Sequence, residues 1–209
     1  MNVVLIRTRR AFWTGKAAFR RNLDAGAKVN SVSTPSRHHL IAQFEEAVRL
    51  AAGTVERVPR SARDLADVVN RIATGRIAIA EPLDLPAELF AQIRRLPGVT
   101  LERSKVALAS CDVGITDAFA GVARTGSVCV AVDHDYIGPI SLLARLHIAV
   151  LSADMIVERP MDLFQHDRLD GRLLRRNFVF VTGPSATADM GPLVRGVHGP
   201  HRLHVVILE

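Results

Sequence analysis

Short apolar runs alternate with helical stripes along most of this chain. The runs that indicate extended segments lie at residues 55–58, 76–80, 99–103, 105–116, 126–132, 147–152, 177–183 and 202–208. Most of them are rich in Val and Ile with no polar face, which is typical of strands buried on both sides of a parallel sheet. Because helical segments separate many of these strands, the pattern predicts a three-layer α/β sandwich with a mostly parallel sheet over residues 36–209.

The clearest helical stripe follows Ser36 and ends at Gly53, with Leu40, Ile41 and Phe44 on one face. A second helix is expected from Ser61, where Asp64 at the third helical position allows a capping box. Further helical segments are predicted at residues 86–98, 117–124 and 161–169, and residues 140–146 are compatible with a helix or a turn.

The length of 209 residues is typical of one domain, here preceded by a basic N-terminal extension over residues 1–35. The net charge of +6 comes from that end, since residues 1–60 hold 11 Lys or Arg against 4 Asp or Glu, and the remainder hold 16 against 17. A nucleic-acid or other anionic partner is one interpretation, and a solvated basic tail is the other. No RNA-binding aromatic signature accompanies the charge, which argues against nucleic acid.

The cysteine and histidine patterns argue against a metal site. Cys111 and Cys129 belong to no Cys-x-x-Cys pair, so buried, reduced thiols and a cytoplasmic setting are expected. His198, His201 and His204 are spaced by three, but Gly199-Pro200 interrupts them, so a zinc site is not predicted. No apolar stretch approaches the length of a membrane span, and no secretory leader is recognised.

Three small-residue segments are candidates for a ligand site at the carboxyl ends of strands, where open α/β sheets bind ligands. They are Gly114–Thr116, expected to open a helix at Asp117, then Thr125-Gly126-Ser127, and a third segment at residues 182–187. Glycine lets a backbone approach a ligand closely, and helix N-termini attract anions. The alternative is that these residues only form turns and caps. The predicted ligand-binding residues are Thr125, Gly126, Thr182, Gly183, Ser185, Thr187 and His198, with His198 and Asp189 as candidate catalytic groups.

The segment VTGPSATADMGPLVRGVHGPHRLHVVIL, residues 181–208, resembles the end of the LUD domain in the lactate-utilisation protein C family. VGITDAFAGVARTGSVCV and LHIAVLSADMIV resemble upstream parts of that domain, and the resemblance covers roughly residues 36–209. It implies a NagB/RpiA/CoA-transferase-like fold. The sequence departs from that family at Arg124, a position where family members commonly have an acidic residue.

The resemblance also implies a function. It suggests an accessory subunit of an L-lactate oxidation system that converts lactate to pyruvate, with iron–sulfur clusters in partner proteins and no cofactor in this chain. A small anionic ligand is compatible with that role. The alternative is a stand-alone enzyme of this fold acting on a phosphorylated or carboxylate metabolite.

Overall fold

The computed structural model describes residues 35–132, 136–164, 177–189 and 191–209. The strands in this part of the chain are β1 (Thr54–Val58), β2 (Ile77–Ile79), β3 (Val99–Thr100), β4 (Val113–Ala118), β5 (Ala120–Val122), β6 (Ser127–Ala131), β7 (Leu146–Ser152), β8 (Ile156–Val157), β9 (Phe178–Val181), β10 (Ala186–Thr187), β11 (Val194–Arg195) and β12 (Arg202–Leu208). The predicted basic extension lies almost entirely outside the described residues.

The described helices are α1 (Arg37–Leu50), α2 (Ala62–Ile72), α3 (Lys105–Ala109) and α4 (Ile137–Leu143). Ser36 caps α1 by accepting the N–H of His39, and Ser61 caps α2 by accepting that of Asp64, so both predicted caps are confirmed. The longest of these helices, α1, has 14 residues, and none in the described part is long and apolar enough to cross a membrane.

Six strands form one parallel sheet in the order β3-β2-β4-β7-β12-β1, which confirms the predicted fold class. The central strands β4, β7 and β12 are buried over almost their whole length. One face of the sheet packs against α2 and two short 3-10 helices, Ala87–Phe90 and Ile93–Arg95. The other face packs against α1, α4 and a second sheet, which gives three layers.

The second sheet has the order β8-β5-β6-β9 and was not predicted. Its β5 is paired with β6 in antiparallel register, Ala120 facing Cys129. The prediction of a helix over residues 117–124, opened at Asp117, is therefore wrong. Asp117 and Ala118 end β4, Ala120–Val122 form β5, and Ala123 and Arg124 lie in the turn before β6. The Ala and Gly residues of this stretch carry no strong β signal of their own.

Three further element predictions need correction. The helix expected over residues 86–98 is two 3-10 turns, and Lys105–Ala109, predicted to be extended, is a short helix capped by Ser104. Of the helix expected over residues 161–169, the described part belongs to a 3-10 turn, Pro160–Phe164, and the rest lies outside the described residues.

Candidate functional site

The structure brings the Thr125 and Thr182 loops together through a chain of three hydroxyls. Thr125 Oγ1 lies 2.7 Å from Ser127 Oγ, which lies 2.7 Å from Thr182 Oγ1. Ser127 is buried, whereas Thr125, the first of the three hydroxyl-bearing residues, is exposed. Ser127 and Thr182, which are 55 residues apart, meet because β6 pairs with β9 in antiparallel register.

The glycines of the two loops pack against helix α1. Gly126 and Gly183 both have φ of +65°. A Cβ on Gly126 would lie 2.5 Å from backbone atoms of Ala47 and Val48, and one on Gly183 would clash with the carbonyl oxygen of Ala51. The small side chains are therefore required by the close approach of the protein's own helix.

Ser185 joins the Thr182 loop, to which it belongs, to the Gly-Val-His-Gly-Pro loop at residues 196–200. Its N–H donates to Pro200 O at 2.9 Å, its carbonyl accepts the N–H of Gly196 at 2.9 Å, and its Oγ accepts the N–H of His198 at 3.2 Å. Ser185 is buried, and each of its polar groups has a partner within the protein. This serine therefore has a structural role in holding the two loops together.

Thr187 and Asp189 lie on a small hairpin formed by β10 and β11, with Thr187 opposite Val194. Asp189 is exposed, and its N–H lies 3.5 Å from Thr187 Oγ1. His198 is also exposed, beyond the second strand of the hairpin. The structure thus places both candidate catalytic groups on the surface.

The main-chain donors expected to hold an anion are largely occupied. The N–H groups of Thr125 and Gly126 donate to Val122 O, and those of Ser185 and His198 donate to the contacts described above. The loops also pack on the C-terminal turn of α1, the negative end of the helix dipole. An anion bound at these loops could not use these four N–H groups, and a ligand-binding role for the loops stays a prediction.

The loops lie at the amino ends of two strands of the parallel sheet. Gly183 contacts Ala51, three residues before β1, and Ser185 bonds to Pro200, two residues before β12. The loops therefore adjoin the amino ends of these two strands of the parallel sheet. They do follow carboxyl ends of strands, as expected, but those strands are β5 and β9 of the second sheet. Gly114–Thr116 lies within β4, where a Cβ on Gly114 would clash with the carbonyl oxygen of Ile140.

Near the carboxyl end of β4, Asp117 holds the loop that follows β2. Its Oδ2 accepts three backbone N–H groups, from Leu83 at 2.8 Å, Asp84 at 2.7 Å and Leu85 at 3.1 Å. Burial raises the pKa of the Asp117 carboxyl above its usual value, and the three N–H donors oppose that shift. No sequence pattern indicated this contact, since Asp117 was interpreted as the first residue of a helix.

His147 is fully buried on β7. Its Nε2 lies 2.9 Å from Thr116 Oγ1, and its Nδ1 has no hydrogen-bond partner among the described residues. Burial lowers the pKa of His147 to about 4, so the imidazole is neutral at neutral pH.

The described residues contain no group of three His, Cys, Asp or Glu side chains placed to hold a metal ion. Cys111 and Cys129 are buried free thiols, and burial raises the pKa of both. His134 lies outside the described residues. Arg124, at the position where an acid is common in the resembled family, is exposed, and its N–H donates to Glu158 O.

Comparison with known proteins assigns the chain to a family. The sequence profile of the LUD domain matches residues 86–208, which contain every candidate site residue named above. The chain belongs to the LUD-domain family. The match includes β4 to β12, and so the hydroxyl chain, the Ser185 contacts and the hairpin are all features of this LUD domain.

Similar proteins include "Lactate utilization protein C" of Oceanobacillus iheyensis, 30% identical over 112 residues, which are 52% of this chain and 48% of the relative. The protein of the same name from Exiguobacterium sp. is 33% identical over 113 residues, 52% of this chain and 49% of the relative. "Lactate utilization protein B" of Bacillus pumilus is 28% identical over 105 residues, 47% of this chain and 20% of the relative.

The chain thus spans about half the length of the C-type curated relatives it matches. Among solved structures, a DUF162 family protein from Deinococcus radiodurans superposes with a TM-score of 0.60 at 22% identity. That superposition covers 84% of this chain and 99% of the other, and it shows a shared fold.

Proposed function

We propose that this LUD-domain chain acts in lactate utilisation, as an accessory subunit of an iron–sulfur system that oxidises L-lactate to pyruvate. The observation that carries the proposal is the match, over about half of the chain, to relatives named lactate utilization protein C. In this role the chain binds partner proteins that hold the clusters, and its own two thiols stay buried and unligated.

The proposed partner-binding surface is the β10–β11 hairpin, described at residues 186–189 and 191–197. Leu193, Val194 and Val197 are 61%, 52% and 51% exposed, although they lie within a few residues of one another. The strands of the hairpin pair only with each other and join neither of the two larger sheets. Full burial of an exposed Leu or Val side chain contributes about 1.5–3 kcal/mol, and these side chains retain at least half of their surface to bury.

The occupant we propose is the host's homologue of lactate utilization protein B. The support is that a relative of that name matches 105 residues of this chain, so both kinds of protein carry related sequence. The alternative of a stand-alone enzyme on an anionic metabolite receives no comparable support, because four of the loop N–H groups already donate within the protein.

The test is genetic. Deleting the gene for this chain in its own host should abolish growth on L-lactate while leaving growth on glucose intact, and the intact gene should restore it. Normal growth of the deletion strain on L-lactate would contradict the proposal.

Complementation with surface variants tests the hairpin. The double change Leu193→Ser with Val194→Thr should restore growth poorly. The matched control, Val106→Thr, alters a residue that is 82% exposed on α3 and should restore growth fully. Equal restoration by both variants would remove the hairpin from the proposal.

A further inference from the structure

A hydroxyl, an imidazole and a carboxylate form a continuous hydrogen-bonded line across β1 and β12. Thr54 Oγ1 lies 2.7 Å from His204 Nδ1, and His204 Nε2 lies 2.9 Å from Glu56 Oε1. The other carboxylate oxygen, Oε2, lies 2.6 Å from the Arg71 guanidinium on α2. The line exists because the parallel register places Thr54 beside His204, residues 150 positions apart.

The carboxylate determines which nitrogen of His204 carries the proton. Glu56 can only accept a hydrogen bond, so Nε2 bears the hydrogen of the neutral ring. Nδ1 then presents its lone pair, and the Thr54 hydroxyl donates to it. This is the relation between nucleophile, base and orienting acid that activates hydroxyl nucleophiles.

The surroundings keep the base buried and the hydroxyl accessible. His204 is 8% exposed, whereas Thr54 is exposed as the first residue of β1, an edge strand. Burial lowers the pKa of His204, and Glu56 opposes that shift, so the ring is neutral at neutral pH. Leu203 O is a second acceptor for the hydroxyl at 3.3 Å, a longer contact than the one to Nδ1.

We propose that Thr54 is a base-activated acyl-acceptor site for activated esters, with His204 as the general base and Glu56 as the positioning residue. The site lies apart from the hydroxyl chain of Thr125, Ser127 and Thr182, and it does not depend on the function proposed above.

The reaction forms one bond and breaks one. Thr54 Oγ attacks the ester carbonyl while its proton passes to His204 Nδ1. The C–O bond to the leaving alcohol then breaks, and the alcohol takes the proton from Nδ1–H. The products are the ester of Thr54 and the free alcohol, with His204 neutral again.

The test uses p-nitrophenyl acetate with the full chain at neutral pH. Nitrophenolate release is followed optically, and acetyl groups are located by peptide mass spectrometry. We expect acetylation of the peptide that contains Thr54, retained in Thr54→Ser and abolished in Thr54→Val. The control Thr74→Val, at an exposed threonine that belongs to neither site, should acetylate Thr54 as the wild type does.

The role of the base is tested by His204→Gln and Glu56→Gln. Removing the base should slow acetylation of Thr54 by about 100-fold, in the range that general-base catalysis supplies. The wild-type rate should also fall as the pH is lowered and His204 becomes protonated, a dependence that Glu56→Gln should shift. If His204→Gln does not fold, the comparison of wild type with Thr54→Val decides the matter.

The proposal is overturned if folded wild type shows no acetyl group on Thr54. It is also overturned if a folded His204→Gln variant acetylates Thr54 at the wild-type rate.

Discussion

The sharpest structural prediction concerns Gly183→Ala. Gly183 has φ of +65°, and a Cβ there would lie far inside 3.0 Å of the Ala51 carbonyl oxygen, a separation that real Cβ atoms essentially never show. The left-handed conformation costs an alanine about 1–2 kcal/mol. Relieving the clash requires a backbone shift on the order of 1 Å, and such overpacking costs about 1–3 kcal/mol more. We therefore expect a loss of about 2–5 kcal/mol in the free energy of unfolding.

Urea unfolding followed by circular dichroism measures this loss. The control is Gly138→Ala in α4, where the nearest atom to a new Cβ is 3.7 Å away and φ is not positive. That change should leave stability the same or raise it by up to about 1 kcal/mol. Wild-type stability in Gly183→Ala would refute the claim that this glycine is needed for packing on α1, and would favour a glycine kept for ligand access.

Three further predictions follow from buried polar contacts. Asp117→Ala leaves the N–H groups of residues 83–85 without their acceptor, so unfolding free energy should fall by about 3 kcal/mol or more, and hydrogen exchange at those amides should accelerate. Burial lowers the pKa of His147 from 6.5 to about 4, so between these pH values the unfolded chain binds a proton that the folded chain does not. The free energy of unfolding should therefore fall by about 3 kcal/mol from pH 6.5 to pH 4. His147→Gln should remove this loss. Ser61→Ala should cost about 1 kcal/mol through loss of the α2 cap, measured by urea unfolding.

Sequence patterns predicted the parallel sheet because its strands are continuously apolar and its helices have clear caps. They failed at residues 117–124, where a short run of small apolar residues is equally compatible with a helix or a strand. The strand forms there because β5 pairs with β6. The second sheet depends on that same pairing and was missed with it.

For the site, sequence identified residues that do meet, since Thr125 and Thr182 share Ser127 and Ser185 holds His198. It did not reveal that helix α1 fills the space beside the glycines. The Thr54, His204 and Glu56 line was also beyond sequence reasoning, because it requires the register of two strands about 150 residues apart.

The central functional claim is that this LUD-domain chain binds a lactate-utilisation partner through its hairpin. The most direct measurement is anaerobic calorimetry of the purified chain with the host's homologue of lactate utilization protein B. We expect saturable binding that Leu193→Ser with Val194→Thr weakens by about ten-fold or more, a loss of at least ~1.4 kcal/mol. Val106→Thr should bind as the wild type does. Absence of binding by the wild type, or equal affinity in the hairpin variant, would contradict the account.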